Sequence, residues 1–178
     1  MHKKELGVDH PTVAVLRANV AEFYVEMGRL ALAGPLFVEA VQIAELALGQ
    51  GHRTTAVLVG RLAKFYRQQS RYDLAETLHM RTIRIKEKEL GPNHMAVAVS
   101  LNDLAQLYYL EGRFAEAEPL YRRALSILAE IERVLPLTGA VLFNNVAELF
   151  SAQGRSVVAV MPRLAARIDA EEAAAQAT

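Results

Sequence analysis

The sequence predicts an all-α protein, a solenoid of antiparallel helix pairs stacked side by side. Three observations predict it. The chain repeats itself every 42 residues. Each copy carries two apolar stripes at helical spacing, separated by a short turn that is usually centred on glycine. No alternating β-branched run is bounded by hairpin turns, so strand signals are missing.

The repeat is clearest in residues 90–131, LGPNHMAVAVSLNDLAQLYYLEGRFAEAEPLYRRALSILAEI. Shifted back by 42 residues it falls on 48–89, and by 42 more on 6–47. The columns Gly7/Gly49/Gly91 and His10/His52/His94 stay in step. So do Ala21/Ala63/Ala105/Ala147 and Tyr24/Tyr66/Tyr108/Phe150. The turn column is Gly28/Ser70/Gly112/Gly154, followed by Arg29/Arg71/Arg113/Arg155 and Ala33/Ala75/Ala117/Ala159. The chain is therefore expected to be one repeat domain over 1–178, with copies at about 6–47, 48–89, 90–131 and 132–171.

In the first copy, Val13, Leu16, Val20, Tyr24 and Met27 recur at three- and four-residue spacings, which predicts a helix over about 12–27. Gly28 ends it, because glycine tolerates the left-handed turn after a helix. A second helix follows from Leu30 to Ala47, closed by Leu48-Gly49. Equivalent pairs are expected at 54–69 and 72–89, at 95–111 and 114–131, and at 138–153 and 156–175. Ala105 and Ala117 stand where the two helices of a pair cross, since a larger side chain would push the axes beyond their usual ~8–10 Å. Leu101, Leu104, Tyr108, Tyr121 and Leu125 then fill the space between copies, and stability comes from nearest-neighbour interfaces.

At Leu101, Leu104, Ala105, Tyr108, Ala117, Tyr121 and Ala124 the pattern resembles the tetratricopeptide repeat. The added Leu-Gly-Pro-Asn-His element and the 42-residue length resemble the extended form found in kinesin light chains. The resemblance covers residues 6 to about 155 and is closest in copies one and three. It implies a right-handed superhelix. Copy two departs at Ser70, which replaces the turn glycine, and at Thr82, which replaces an alanine. Copy four lacks the Leu-Gly-x-x-His linker, and Pro162 falls where the other copies have Leu36, Leu78 and Leu120. Proline there removes a hydrogen bond and clashes with the preceding turn, so the last helix is expected to kink or restart. That suits a terminal cap with Asp169, Glu171 and Glu172 on its outer face.

Lys4-Glu5-Leu6-Gly7 matches Lys88-Glu89-Leu90-Gly91, the end of a second helix. The chain is expected to open on the last turn of a missing helix, as a piece of a longer array or with a truncated first repeat. The first pair would then leave an apolar face uncovered, and homodimerisation through it is the expected consequence.

Composition narrows the function. The chain has 178 residues, 52% of them apolar, and 20 basic groups balance 20 acidic ones. A neutral chain argues against nucleic acid or anionic lipid as the partner. There is no run of 18 apolar residues, so no membrane span is expected. No apolar block follows Met1-His2-Lys3-Lys4, so a signal peptide is not expected and the cytoplasm is the default compartment. There is no Cys, hence no disulfide and no thiolate metal site.

Nothing argues for catalysis or a cofactor. His10, His52 and His94 would stand on the order of 10 Å apart in a stack. Zinc needs its ligand atoms at ~2.0–2.1 Å from one centre, so they read as a repeated loop residue at the mouth of each first helix. Gly49-Gln50-Gly51 follows a helix and has no third glycine, so it reads as a linker and not as a dinucleotide loop. Ser100, Ser126 and Ser151 have no His and acid near them in sequence, and Glu116 and Glu118 face different ways on their helix. Tyr24, Tyr66 and Tyr108 read as core. Tyr109 should point to the concave side, because its neighbour fills the core column.

The resemblance implies that the first helices line a concave surface that binds an extended peptide or a helix. By position, the lining is Val15, Ala18, Asn19, Glu22 and Val25 in copy one and Val57, Gly60, Arg61, Lys64 and Arg67 in copy two. Copy three supplies Val99, Asn102, Asp103, Gln106 and Tyr109, and copy four Val141, Asn144, Asn145, Glu148 and Ser151. An Asn-Asn pair can clamp a peptide backbone by donating and accepting at once. Asn144-Asn145 keeps it, Asn19 and Asn102 keep half, and Gly60-Arg61 loses it.

Copy two compensates with charge. Residues 48–89 hold nine Lys or Arg against four Asp or Glu, whereas both flanking copies are net acidic. Arg61, Lys64 and Arg67 share one helical face and could receive a carboxylate or phosphate. Arg81, Arg84, Lys86 and Lys88 fall on a second helix, where an outer solvated face is expected. The expected function is a non-enzymatic interaction scaffold that binds a protein partner's acidic peptide or helix in this groove. The alternative is a structural or self-assembling segment of a larger repeat protein.

Overall fold

The computed structural model describes residues 10–130 and 136–154. They form seven helices: α1 (Pro11–Glu26), α2 (Leu30–Leu48), α3 (Arg53–Gln68), α4 (Tyr72–Leu90), α5 (Met95–Leu110), α6 (Phe114–Glu130) and α7 (Pro136–Ala152). All are alpha-helical, and their bounds fall within two residues of those read from the sequence. The expected helix at 156–175 lies outside the described residues, with Pro162, Asp169, Glu171 and Glu172. So do Lys4 to Gly7 and the linker from Glu132 to Leu135.

The recurring histidines start the first helices. His10, His52 and His94 are N-caps, and each Nδ1 accepts from the amide two residues on, at 3.2, 3.1 and 3.0 Å. This satisfies one of the amides that a helix start leaves without a partner. The helices end as regularly. The Gly28 amide donates to the Val25 carbonyl and the Arg29 amide to the Tyr24 carbonyl, at 2.9 and 2.8 Å. That double closure needs a left-handed residue, and Gly28 supplies φ 71°. Ser70 makes the same closure at φ 56°, where its Cβ is crowded.

Packing follows the sequence. α1 lies on α2, α3 on α4 and α5 on α6, and α2, α4 and α6 each pack on the next pair. The small residues of the repeat columns sit at the crossings: Ala21, Ala33, Ala63, Ala75, Ala105 and Ala117 are all fully buried. Leu101, Leu104, Tyr108, Tyr121 and Leu125 are buried as expected. A fully buried leucine contributes roughly 1.5–3 kcal/mol, so the interfaces between pairs carry the fold.

The apolar core is in two parts. One gathers α1, α2 and the inner face of α3; the other runs from Ala75 and Ile83 of α4 through α7. The buried polar side chains among the described residues are Thr55, His79, Thr82 and Ser100. They belong to copy two and to the first turns of α5.

The expectation of a solvated outer face for the second helix of copy two is corrected in part. Arg84 and Lys88 are exposed. Arg81 reaches back to Glu45 at 2.5 Å, and Lys86 is drawn into the seam with α5. Each is turned toward a neighbouring copy, Arg81 toward copy one and Lys86 toward copy three, which spacing within one helix does not reveal.

No unbroken run of 18 apolar residues exists, yet α2 is long and apolar enough by composition to cross a membrane. Here it is wedged between α1 and α3, with Phe37, Ala40, Val41 and Ala44 buried and Glu39 and Glu45 in ion pairs.

Candidate binding groove

The odd-numbered helices touch one another in series, α1 to α3, α3 to α5 and α5 to α7. Their exposed faces therefore follow one another along one side of the stack as a strip, and several of the polar residues singled out from the sequence meet across it. The strip is laced by contacts between successive copies. Arg61 donates to the Asn19 side-chain oxygen at 2.8 Å and stands 3.4 Å from Glu22. Lys64 pairs with Asp103 at 3.0 Å, and Arg67 donates to the Gln106 carboxamide oxygen. Asn145 donates to the Asn102 carboxamide oxygen at 2.8 Å. The basic face of α3 is thus shared by acidic and amide groups of α1 and α5.

Of the Asn-Asn pair in copy four, Asn144 is exposed, while Asn145 is half-buried and bonded to Asn102. Tyr109 borders a shallow open pocket of about 480 Å³, with Glu148 and Ser151 on the far wall. Its ring lies 5.6 Å from that of Phe114. Val57 is 48% exposed on the same strip. The side chain of Val141 is not among those described.

One lining expectation is corrected: Ala18 is fully buried and offers nothing to a ligand. Gly60, at the same repeat position, is half-buried, and a Cβ there would lie 3.5 Å from the Thr82 side chain. The longer side chains at this position, Asn102 and Asn144, are half-buried and exposed.

Several polar residues were not legible in advance. The Lys86 ammonium donates to Ser100 Oγ at 2.7 Å and to the Ala96 carbonyl at 3.3 Å. A Ser–Lys pair at this distance has the composition of a nucleophile and its base. Ser100 is 2% exposed, however, and its hydroxyl donates to the Ala96 carbonyl at 3.1 Å, so it is closed to substrate and holds the α4–α5 seam. Burial pushes Lys86 below its ordinary pKa, against the pull of Asp103.

A second network ties the far end of the same interface. Tyr108 donates to Glu76 at 2.8 Å, and Arg113 donates to the other oxygen of Glu76 at 2.8 Å. The Arg113 guanidinium lies 4.1 Å from the Tyr108 ring centroid, a cation–π contact. One repeat earlier, Arg71 stacks on Tyr66 at 4.9 Å. In copies two and three the recurring Tyr and Arg columns are therefore a stacked pair at the turn. The hydrogen bond from Arg113 holds Glu76 below the usual carboxylate range, with Tyr108 adding to it against burial. Burial and the bond to Glu76 push Tyr108 up to about 12. The signal in sequence was the pair of columns, but Glu76 has no column of its own.

His79, on α4, is 1% exposed. Burial brings its pKa down to about 4, and the charges it feels are Asp103, Arg67, Lys64 and Lys86. No group of three or more metal-ligating side chains occurs among the described residues.

A stack of helix pairs with a side-chain-laced concave strip defines the class: a helical repeat solenoid. A profile of the tetratricopeptide repeat matches residues 13–54, and a second one matches residues 53–130. The chain belongs to the tetratricopeptide repeat family. It is similar in fold to the crystal structure of BtubC (BKLC) from P. vanneervenii, with a TM-score of 0.78 and 21% identity over 93% of this chain and 68% of that one. It is also similar to a kinesin light chain of nearly identical TPR-like repeats from Podosopora anserina, with a TM-score of 0.73 and 24% identity over 82% of this chain and 69% of that one. In fold, the repeats are of the kinesin light chain-like type expected from their 42-residue length. No protein of curated function matches. Repeats of this family generally mediate protein–protein interaction and are typically non-catalytic.

Proposed function

We propose that the chain is an interaction scaffold whose α1–α3–α5–α7 strip binds an acidic peptide or helix of a protein partner. The observation that supports this reading is the row Arg61, Lys64 and Arg67 on one face of α3, at the centre of the strip. Their present partners include the neutral amides Asn19 and Gln106, which a ligand carboxylate outcompetes because a charge-assisted bond is roughly twice as strong. Asn102, Asn144 and Asn145 would hold the ligand backbone, while Val57, Val99 and Tyr109 would cover its apolar side chains. Glu148 closes the strip at the α7 end and would favour a basic or neutral residue there.

The test is binding of a fluorescent Glu-rich peptide to the protein and to an Arg61→Glu/Arg67→Glu variant. Affinity should fall in the variant, more steeply at low salt than at high salt. Equal affinity at both salt concentrations would refute the groove assignment.

A second reading is favoured by the exposed apolar face of α1. Leu16, Val20, Phe23 and Met27 are 54, 45, 56 and 49% exposed. The equivalent Leu58, Leu62 and Phe65 of α3 are covered by α2, at 2, 6 and 6%. The α1 face thus has the composition of a covered surface, and a second copy of this chain would cover it as a homodimer.

A further inference from the structure

The groove has a floor as well as walls. Phe37, His79 and Tyr121 occupy one position, 42 residues apart, on the three second helices. Each is buried, at 3, 1 and 1% exposure. Phe37 sits with its ring 5.3 Å from that of Phe65 on α3. Tyr121 feels Tyr109 and Asp103 from α5 and Glu148 from α7. His79 feels Lys64 and Arg67 from α3, Asp103 from α5 and Lys86 from its own helix. His79 and Tyr121 therefore each face charged groups of neighbouring first helices, and Phe37 faces the ring of Phe65.

His79 differs from its equivalents in one respect. Its Nε2 is buried and has no hydrogen-bond partner within the protein. A buried polar atom left unpaired costs free energy, and native structures hold few of them. Phenylalanine fills this position in copy one without that cost. Three of the charges that act on His79 belong to contacts that cross from α3 to α5, the Lys64–Asp103 pair and the Arg67–Gln106 bond.

We infer that His79 is the floor of an acid-binding pocket in the groove, its Nε2 donating to a ligand carboxylate that Lys64 and Arg67 hold from above. This rests on the groove reading of the preceding section. A ligand carboxylate draws the two cations from Asp103 and Gln106, and the opening between α3 and α5 exposes Nε2. The ligand class is a peptide with a glutamate or aspartate side chain directed between these helices. A carboxamide of the same shape lacks the charge that draws the cations aside. Acid over amide is the selectivity that results.

The experiment compares two labelled peptides, a blocked hexaglutamate and its hexaglutamine counterpart, on the wild type and on His79→Phe and His79→Gln variants. Phenylalanine is the residue of copy one and keeps the floor filled. His79→Phe should bind hexaglutamate about tenfold more weakly and leave hexaglutamine binding unchanged, and His79→Gln should restore part of the loss. Histidine-selective nitrogen spectra of the wild type should show Nε2 of His79 shifting with hexaglutamate alone. If His79→Phe binds hexaglutamate as the wild type does while the Arg61→Glu/Arg67→Glu variant binds it weakly, the floor role is overturned and the groove stands. If the wild type itself does not distinguish the two peptides, both are overturned.

Discussion

Arg61 donates to Asn19 across 2.8 Å, and the two residues hold the same position in consecutive repeats. The strip is thereby stitched by the same side chains that are proposed to meet a ligand. Binding there is an exchange of partners, and the in-chain partners set its cost.

That exchange gives a test opposite in sign to charge reversal. Asp103→Asn releases Lys64 from its ion pair and removes a carboxylate from the strip. Affinity for the Glu-rich peptide should rise several-fold, most at low ionic strength where exposed charges are least screened. A titration followed by fluorescence anisotropy decides it. Unchanged or weaker binding would show that Lys64 does not face the ligand.

The turn of copy two carries a correctable strain. Ser70 holds φ 56° where the other turns have glycine. A left-handed conformation costs an ordinary residue roughly 1–2 kcal/mol. Ser70→Gly should therefore stabilise the protein by about 1 kcal/mol, less the entropy that glycine loses on folding. Thermal melting should show a rise of roughly 2–4 °C for a chain of this size. A fall in the melting temperature would mean that the serine side chain contributes more than its strain costs.

His79 makes stability depend on pH in a defined window. Its ordinary value is 6.5, and burial lowers it to about 4 in the folded chain. Above pH 6.5 the imidazole is neutral in both folded and unfolded states, and no stability is gained or lost. Between 6.5 and 4 the unfolded chain takes up a proton that the folded chain refuses, so stability falls with falling pH. The loss below that window is on the order of 3 kcal/mol, from the size of the shift. The difference in urea stability between wild type and His79→Phe should shrink or reverse in favour of the variant from pH 7 to pH 4. Parallel pH profiles for the two proteins would contradict the burial of a neutral ring.

The exposed face of α1 predicts concentration-dependent association. Multi-angle light scattering should find a dimer in equilibrium with monomer, and Phe23→Glu should leave only monomer with little change in melting temperature, since Phe23 is 56% exposed. A wild type that remains monomeric at high concentration would rule the second reading out.

The sequence by itself determined the helices and their order. Glycine and histidine columns at 42-residue spacing fix where each helix starts and stops, because capping and left-handed turns are local chemistry. The alanine columns likewise identify the crossings, since only a small side chain permits close approach. Ten candidate residues could be assigned to the first helices because a regular repeat converts position in sequence into position on a helix face. Those were Asn19, Arg61, Lys64, Arg67, Asn102, Gln106, Tyr109, Asn144, Asn145 and Glu148.

Only the tertiary structure decided what those side chains touch. A helical period says which face Arg81 and Lys86 occupy, but not that a neighbouring copy packs against it. Glu76 bridges Tyr108 and Arg113 from another repeat, and His79 rises beneath charges carried by α3 and α5. Such contacts join residues on different helices, more than ten positions apart, and their energies depend on burial and distance. Periodicity along one helix specifies neither, which is why the row of first-helix residues could be read from the chain and the contacts they make could not.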